Sequence, residues 1–252
     1  MAQCALLPAI ALIVATTTLP PTAQQLADEQ GRRQAIVHYR AGQEFMSAEK
    51  FDRAAEEFSK AIQYDGLFTL AHYSLGQAHM NRQRYASAIQ AFRACIEAFR
   101  ALFALAETNR FAVDKQREDE IREMRETIRR IQAQVRLGQK SELQLIQAEQ
   151  QLRDLENQRS PLRGAFRPPA EVLLALGSAH FRNGDPEEAE VAWKNAIDAN
   201  PKLGEAHNNL AVIYMQSERF DLAEQELKLA EKAGFRVNPQ FKEDLGKRKA
   251  GR

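Results

Sequence analysis

Residues 35–68 read AIVHYRAGQEFMSAEKFDRAAEEFSKAIQYDGLF, and residues 69–102 read TLAHYSLGQAHMNRQRYASAIQAFRACIEAFRAL. Laid one over the other, the two stretches repeat with a period of 34 residues. Gly42 falls on Gly76, Phe51 on Tyr85, Ala54 on Ala88, Phe58 on Phe92 and Ala61 on Cys95. The same spacing returns near the C-terminus, where Gly177 falls on Ala211, Ala189 on Ala223, Trp193 on Leu227 and Ala196 on Ala230. A fixed period of this length marks an array of helix-turn-helix units that stack to bury a shared core. Within each unit the spacing predicts two antiparallel helices, such as Ala35 to Met46 and Phe51 to Gln63, joined by the short turn Ser47 to Lys50. Ala41 and Gly42 mark their close approach, with Phe45, Phe51 and Phe58 filling the space beside it.

These residues resemble the tetratricopeptide repeat (TPR) family, which keeps small residues at three fixed places of a 34-residue unit and large apolar residues between them. The first unit supplies Gly42, Ala54, Ala61 and Phe58. The second supplies Leu75, Gly76, Ala88 and Phe92. The third supplies Leu176, Gly177, Ala189, Trp193, Ala196 and Pro201, and the fourth Leu210, Ala211, Tyr214, Phe220, Ala223 and Ala230. Departures are Ala41 for Leu, Cys95 for Ala, Pro186 for an aromatic and Phe235 where the third unit has Pro201. The resemblance covers residues 35–99 and 170–237.

Between the two matched pairs the period slips. Gly76 and Gly177 lie 101 residues apart, which is 34 plus 67. Continuing the repeat frame would place Arg110, Arg122 and Arg129 at the small-residue positions, where charged bulk blocks the helix contact. Heptad spacing replaces the repeat: Ile121, Met124, Ile128, Ile131 and Val135, then Leu145, Ala148, Leu152 and Leu155. Gly138 to Ser141 breaks the two runs, so the segment predicts an antiparallel coiled-coil hairpin. Glu118, Asp119, Glu120, Arg122, Glu123, Arg125, Glu126, Arg129 and Arg130 read as its solvated, mixed-charge faces. Ser160 to Pro169 closes the insertion as an irregular linker.

Residues 1–27 hold no charged side chain, and Cys4 to Leu19 is apolar. Pro20 and Pro21 then precede Thr22-Ala23-Gln24. This resembles a secretory signal peptide cleaved after Ala23, although no Lys or Arg stands near its start. The alternative is an uncleaved anchor over residues 4–19, short for a span of about 20 residues; only then does the membrane become a partner. The domain order expected is a signal over 1–23, a linker over 24–34 and repeats one and two over 35–102. The hairpin and linker follow over 103–169, repeats three and four over 170–237, and a capping helix with a basic frayed tail over 238–252. The fold class is all-α, a TPR solenoid of four repeats interrupted by the hairpin.

The net charge of +1 argues against nucleic acid, whose phosphates call for a concentrated basic surface. Cys4 and Cys95 make no disulfide framework. The five histidines, His38, His72, His79, His180 and His207, recur because the repeat recurs, and they sit too far apart to share a metal. No phosphate loop, dinucleotide fingerprint or nucleophile elbow is present. Once signal, repeats and insertion are set aside, no segment remains for a catalytic domain. No enzyme, cofactor or metal site is therefore expected.

The resemblance supplies a site instead, because in the family the first helix of each unit lines a concave groove. The matching places are Tyr39, Gln43, Met46, Tyr73, Gln77, Met80 and Asn81 in the first block. In the second they are Glu171, Ser178, Phe181, Glu205, Asn208, Val212 and Met215. Tyr, Met and amide side chains there suit an extended peptide or a helix. Met46, Met80, Phe181 and Met215 equally fit packing between helices. Some family members grip a chaperone's terminal carboxylate with Lys, Arg and Asn at three fixed places of the unit, two of which are among these. Here Tyr39, Tyr73, Leu174 and Asn208 stand at one, and Gln43, Gln77, Ser178 and Val212 at the other, so that clamp is absent. The expected function is an exported, periplasmic or extracellular scaffold or adaptor for a protein or peptide partner. The hairpin, residues 111–158, is a second contact surface or a homodimer arm. The rivals are an accessory subunit of an envelope enzyme complex and a purely structural spacer.

Overall fold

A computed structural model describes residues 26–108, 110–139, 141–157 and 166–251, with backbone alone at 107, 108 and 110–112. The predicted signal over 1–23, most of the Ser160 to Pro169 linker and Arg252 lie outside the described residues. All regular structure among the described residues is helical. The chain runs α1 (Glu29–Ser47), α2 (Phe51–Tyr64), α3 (Thr69–Asn81), α4 (Tyr85–Thr108), α5 (Arg110–Arg136), α6 (Glu142–Asn157), α7 (Ala170–Asn183), α8 (Pro186–Ala199), α9 (Gly204–Gln216), α10 (Phe220–Lys232) and α11 (Pro239–Ala250).

Helix α1 begins six residues before the predicted Ala35, inside the expected linker, because Asp28 caps it. The Asp28 carboxylate accepts from the Gly31 N–H at 2.7 Å. At the far end, Lys247 to Ala250 continue α11 rather than fray, since Lys249 Nζ reaches Asp221 and Glu224 at 2.7 Å each.

Helices α1 and α2, α3 and α4, α7 and α8, and α9 and α10 pack as four pairs. A small residue on the first helix of each of the first three pairs admits a ring from the second. A Cβ built on Gly42 would lie 2.5 Å from Phe58, on Gly76 2.4 Å from Phe92, and on Gly177 2.5 Å from Trp193. The fourth pair has Ala211 and the slimmer Leu227 at the equivalent places, both buried. The turns inside the pairs share one device, a left-handed residue: Glu49, Gln83, Gly184 and Glu218, with φ between 56° and 91°. Only the third uses glycine, in the turn Asn183-Gly184. Asp185 does not cap α8 with its side chain. Its carboxylate instead accepts from Asn183 at 2.7 Å and lies 3.3 Å from His180 Nδ1. Pro186 opens α8, where its missing N–H costs no intrahelical bond.

The 67-residue slip does not divide the stack in space. Helix α7 packs directly on α4, just as α3 packs on α2 and α9 on α8. Arg93 of α4 approaches His180 of α7 at 3.4 Å across that junction. The inserted helices α5 and α6 pair with one another and fold back over the concave side instead of projecting as an arm. Their apolar residues Ile121, Met124, Ile128, Ile131, Ala148 and Leu155 are buried in the same core as the repeats. Val135, Leu145 and Leu152 of the two stripes are partly buried against that core.

Candidate functional site

Residues on the concave side come from α1, α3, α7 and α9. The inserted hairpin lies across the first three. A polar stripe on α5, Gln116, Glu120, Glu123 and Thr127, faces the repeats and is buried. Glu120 and Glu123 were expected on the solvated surface, and the structure corrects that reading. Thr69 at the start of α3 donates its hydroxyl to Glu120 Oε2 at 2.5 Å. Arg40 of α1 reaches Glu123 Oε2 at 2.9 and 2.6 Å, and Arg130 reaches Glu123 Oε1 at 3.0 Å. Gln116 Nε2 reaches Asp65 and the Leu67 carbonyl at 3.4 Å, and Arg32 pairs with Asp119 at 3.4 Å. Glu120 is pushed up to about 8 by burial, with the Asp65 charge adding to it. Burial in the docked arrangement therefore favours its neutral form.

The docking is incompletely satisfied. Three buried polar atoms without a hydrogen bond or an ion pair lie on this contact: Gln116 Oε1, Glu120 Oε1 and Asp154 Oδ2. Each orphan of this kind costs on the order of 1–3 kcal/mol, so the hairpin is held by its apolar stripe against a polar penalty.

Beyond the Arg40–Glu123 pair the hairpin and the repeats leave a cavity of about 530 Å³. Eight of the fourteen predicted groove residues line it: Tyr39, Gln43, Met46, Tyr73, Gln77, Met80, Asn81 and Ser178. They are not equally available. Tyr39 is 1% exposed, its ring between Phe58 and Phe68 at 5.7 and 5.1 Å. Gln43 donates to the Tyr39 hydroxyl at 3.0 Å and to Ser74 Oγ at 3.1 Å, tying α1 to α3. The ring of Tyr73 packs on Phe92 at 5.6 Å, and Gln151 of α6 lines the same cavity. The opposite wall comes from the hairpin: Met124, Thr127, Ile131, Gln139, Gln144, Gln147, Ala148 and Gln151. Heptad counting found this stripe but not what it covers.

The other six predicted residues lie outside that cavity, Val212 among them half-buried on α9. Glu171 joins Asp154 of α6 in a separate, smaller cleft. Burial first, then the charges of Asp154 and Glu205, push Glu171 up to about 7, and burial raises Asp154 and Glu205 as well. Phe181 packs on Trp193 at 5.8 Å and Met215 is buried, so both serve the core. Asn208 is half-buried on α9. The recurring histidines act as ties: His38 Nδ1 meets Glu57 at 2.7 Å, and His207 Nδ1 meets Glu226 at 2.6 Å. Among the described residues no His, Cys, Asp or Glu group could hold a metal ion, and no helix is long and apolar enough to cross a membrane.

Residues 39–102 and 174–234 match a family model described as tetratricopeptide repeat. The photosystem I assembly protein Ycf3 of Rippkaea orientalis (strain PCC 8801 / RF-1) is 42% identical over 43 residues, 17% of this chain and 25% of that protein. This chain thus spans a quarter of the length of the curated relative it matches. Among solved structures, TTC0263, a thermophilic TPR protein of Thermus thermophilus, is 16% identical with a TM-score of 0.34, over 85% of this chain and 98% of that one. PilF of Pseudomonas aeruginosa is 15% identical with a TM-score of 0.32, over 82% and 80%.

Proposed function

The chain carries tetratricopeptide repeats over residues 39–102 and 174–234, and on that premise we propose that it is an exported scaffold or adaptor of the cell envelope that receives a peptide of a partner protein on its concave side. The observation that carries the reading is the convergence of eight groove residues from α1, α3 and α7 on one cavity. Its lining mixes Met and Tyr contact area with side-chain amides, the composition of a peptide-binding surface rather than of a reaction centre. Export rests on the charge-free residues 1–27 and is checked by sequencing the mature N-terminus, expected at Gln24.

Affinity capture from an envelope extract, read by mass spectrometry, tests the binding. Gln77 is half-buried on the cavity wall and Asn208 half-buried on α9. The pair Gln77→Arg and Asn208→Arg places unpaired cations on the concave side without touching the helix contacts. A specific partner is expected to be captured by the natural chain and lost from a folded double variant. Capture that survives both substitutions places the partner on another surface and sinks the reading.

A further inference from the structure

We propose that the cavity between repeats and hairpin is a two-walled slot for an extended, uncharged peptide segment, recognised chiefly through its backbone. The proposal rests on the groove reading above and goes past it in two respects: the insertion supplies half the contacts, and the ligand carries no charge there.

Among the described residues lining the cavity, Glu49 alone is a charged type, and it sits exposed in the turn after α1. Arg40, Glu123 and Arg130 are near but consumed by one another. A charged ligand side chain in this slot would shed its water and find no counter-charge, a loss that a neutral side chain escapes.

Gln77 on α3 and Gln144 and Gln147 on α6 make no side-chain hydrogen bond to another described residue, yet all three face the cavity. Each amide offers one acceptor and two donors, which matches the alternating C=O and N–H of an extended chain. Because they stand on opposite walls, both edges of that chain would be served. A helical ligand keeps its backbone bonds inside and has no use for such groups.

At about 530 Å³ the slot falls within the range of ligand pockets. Met46, Met80, Met124 and Ile131 supply adaptable apolar contact beside the amides. A neutral oligosaccharide would share the hydrogen bonds but asks for an open aromatic face. The Tyr39 ring is enclosed and the Tyr73 ring is packed on Phe92.

The test uses the full chain and two fluorescent octapeptide pools, read by anisotropy. One pool holds Ser, Thr, Ala, Val and Asn only; the other carries Lys or Glu at its centre. The neutral pool is expected to bind, and the central charge to weaken binding at least tenfold. Gln77→Ala on one wall and the pair Gln144→Ala and Gln147→Ala on the other are each expected to weaken neutral binding roughly tenfold, with helical content unchanged. Equal binding of the charged pool overturns the neutral slot. Unchanged binding in the α6 pair overturns the two-walled contact. Displacement of the neutral pool by a neutral oligosaccharide transfers the site to glycans and overturns the peptide assignment. If neither pool binds while partner capture still depends on Gln77 and Asn208, the slot falls and the groove reading stands. If capture is insensitive to those two residues, the groove reading itself falls.

Discussion

Replacing Gly76 with Ala sets two known effects against each other. Alanine is the better helix former, worth about 0.5–1 kcal/mol to a helix interior. Its Cβ would lie 2.4, 2.6 and 2.8 Å from Cε1, Cδ1 and Cζ of Phe92. Phe92 cannot withdraw, being 1% exposed with Tyr73 packed on its ring at 5.6 Å. Overpacking of this kind costs about 1–3 kcal/mol. The packing term wins, and Gly76→Ala is expected to destabilise by about 1–2 kcal/mol, lowering Tm by roughly 3–6 °C for a chain of this size. Gly246 is the control. Nothing lies within 4 Å of its Cβ position, so Gly246→Ala is expected to raise Tm. The fourth pair shows the compensated form, Ala211 with Leu227. Combining Gly76→Ala with Phe92→Leu should therefore cost less than the sum of the single changes by about 1 kcal/mol or more. Thermal and urea melts followed by circular dichroism supply the four corners of that cycle. Strict additivity, or a Gly76→Ala protein more stable than the parent, refutes the ring-in-notch account of the repeat.

Three further outcomes follow from the hairpin contact and the core. Glu120 has its folded pKa raised above the ordinary carboxylate range to about 8, so the folded state holds the extra proton. Its contribution is full below the ordinary range and disappears as pH rises through about 8; Glu120→Gln should match the parent in Tm at pH 5 and exceed it at pH 8. Glu123 is 2% exposed between Arg40 and Arg130. Arg40→Met alone should be mild, whereas Arg40→Met with Arg130→Met strands a buried carboxylate at a cost of about 3–5 kcal/mol, read as hydrogen exchange released along α5 and α6. Cys95 is fully buried, with its thiol 3.4 Å from the Thr69 carbonyl and raised well above the usual thiol range by burial. Ellman's reagent should label it no faster than the native chain unfolds; immediate labelling would contradict that burial.

The repeats were readable because their geometry is local. Gly42 and Phe58, Gly76 and Phe92, and Gly177 and Trp193 each lie 16 residues apart, and that notch-and-ring pairing alone dictates an antiparallel helix pair. The hairpin was readable only as two helices. Its stripe of Ile121, Met124, Ile128 and Ile131 has the same spacing whether it meets a second copy or its own groove, so heptads could not place it. One further signal was present. Gln116, Glu120, Glu123 and Thr127 keep the 4,3,4 spacing beside the apolar stripe, and a polar ladder in register with a core seam marks a face that meets something polar. The site was half legible for the same reason: α1, α3 and α7 residues follow from the repeat frame, while Gln144, Gln147 and Gln151 enter only through the fold-back of α6.

That fold-back has a mechanical consequence. A helical solenoid is coupled only neighbour to neighbour, so it bends and frays like a spring. Here α5 is bonded to both α1 and α3, while α6 meets α3 and α7. The insertion therefore links pairs that are not adjacent along the array. It fixes the curvature of the first three pairs and leaves α9 to α11 as the compliant end. Such a body should yield in two steps under load, the free coil first and the braced coil later, with the grip on any ligand in the slot set by the stiffer part.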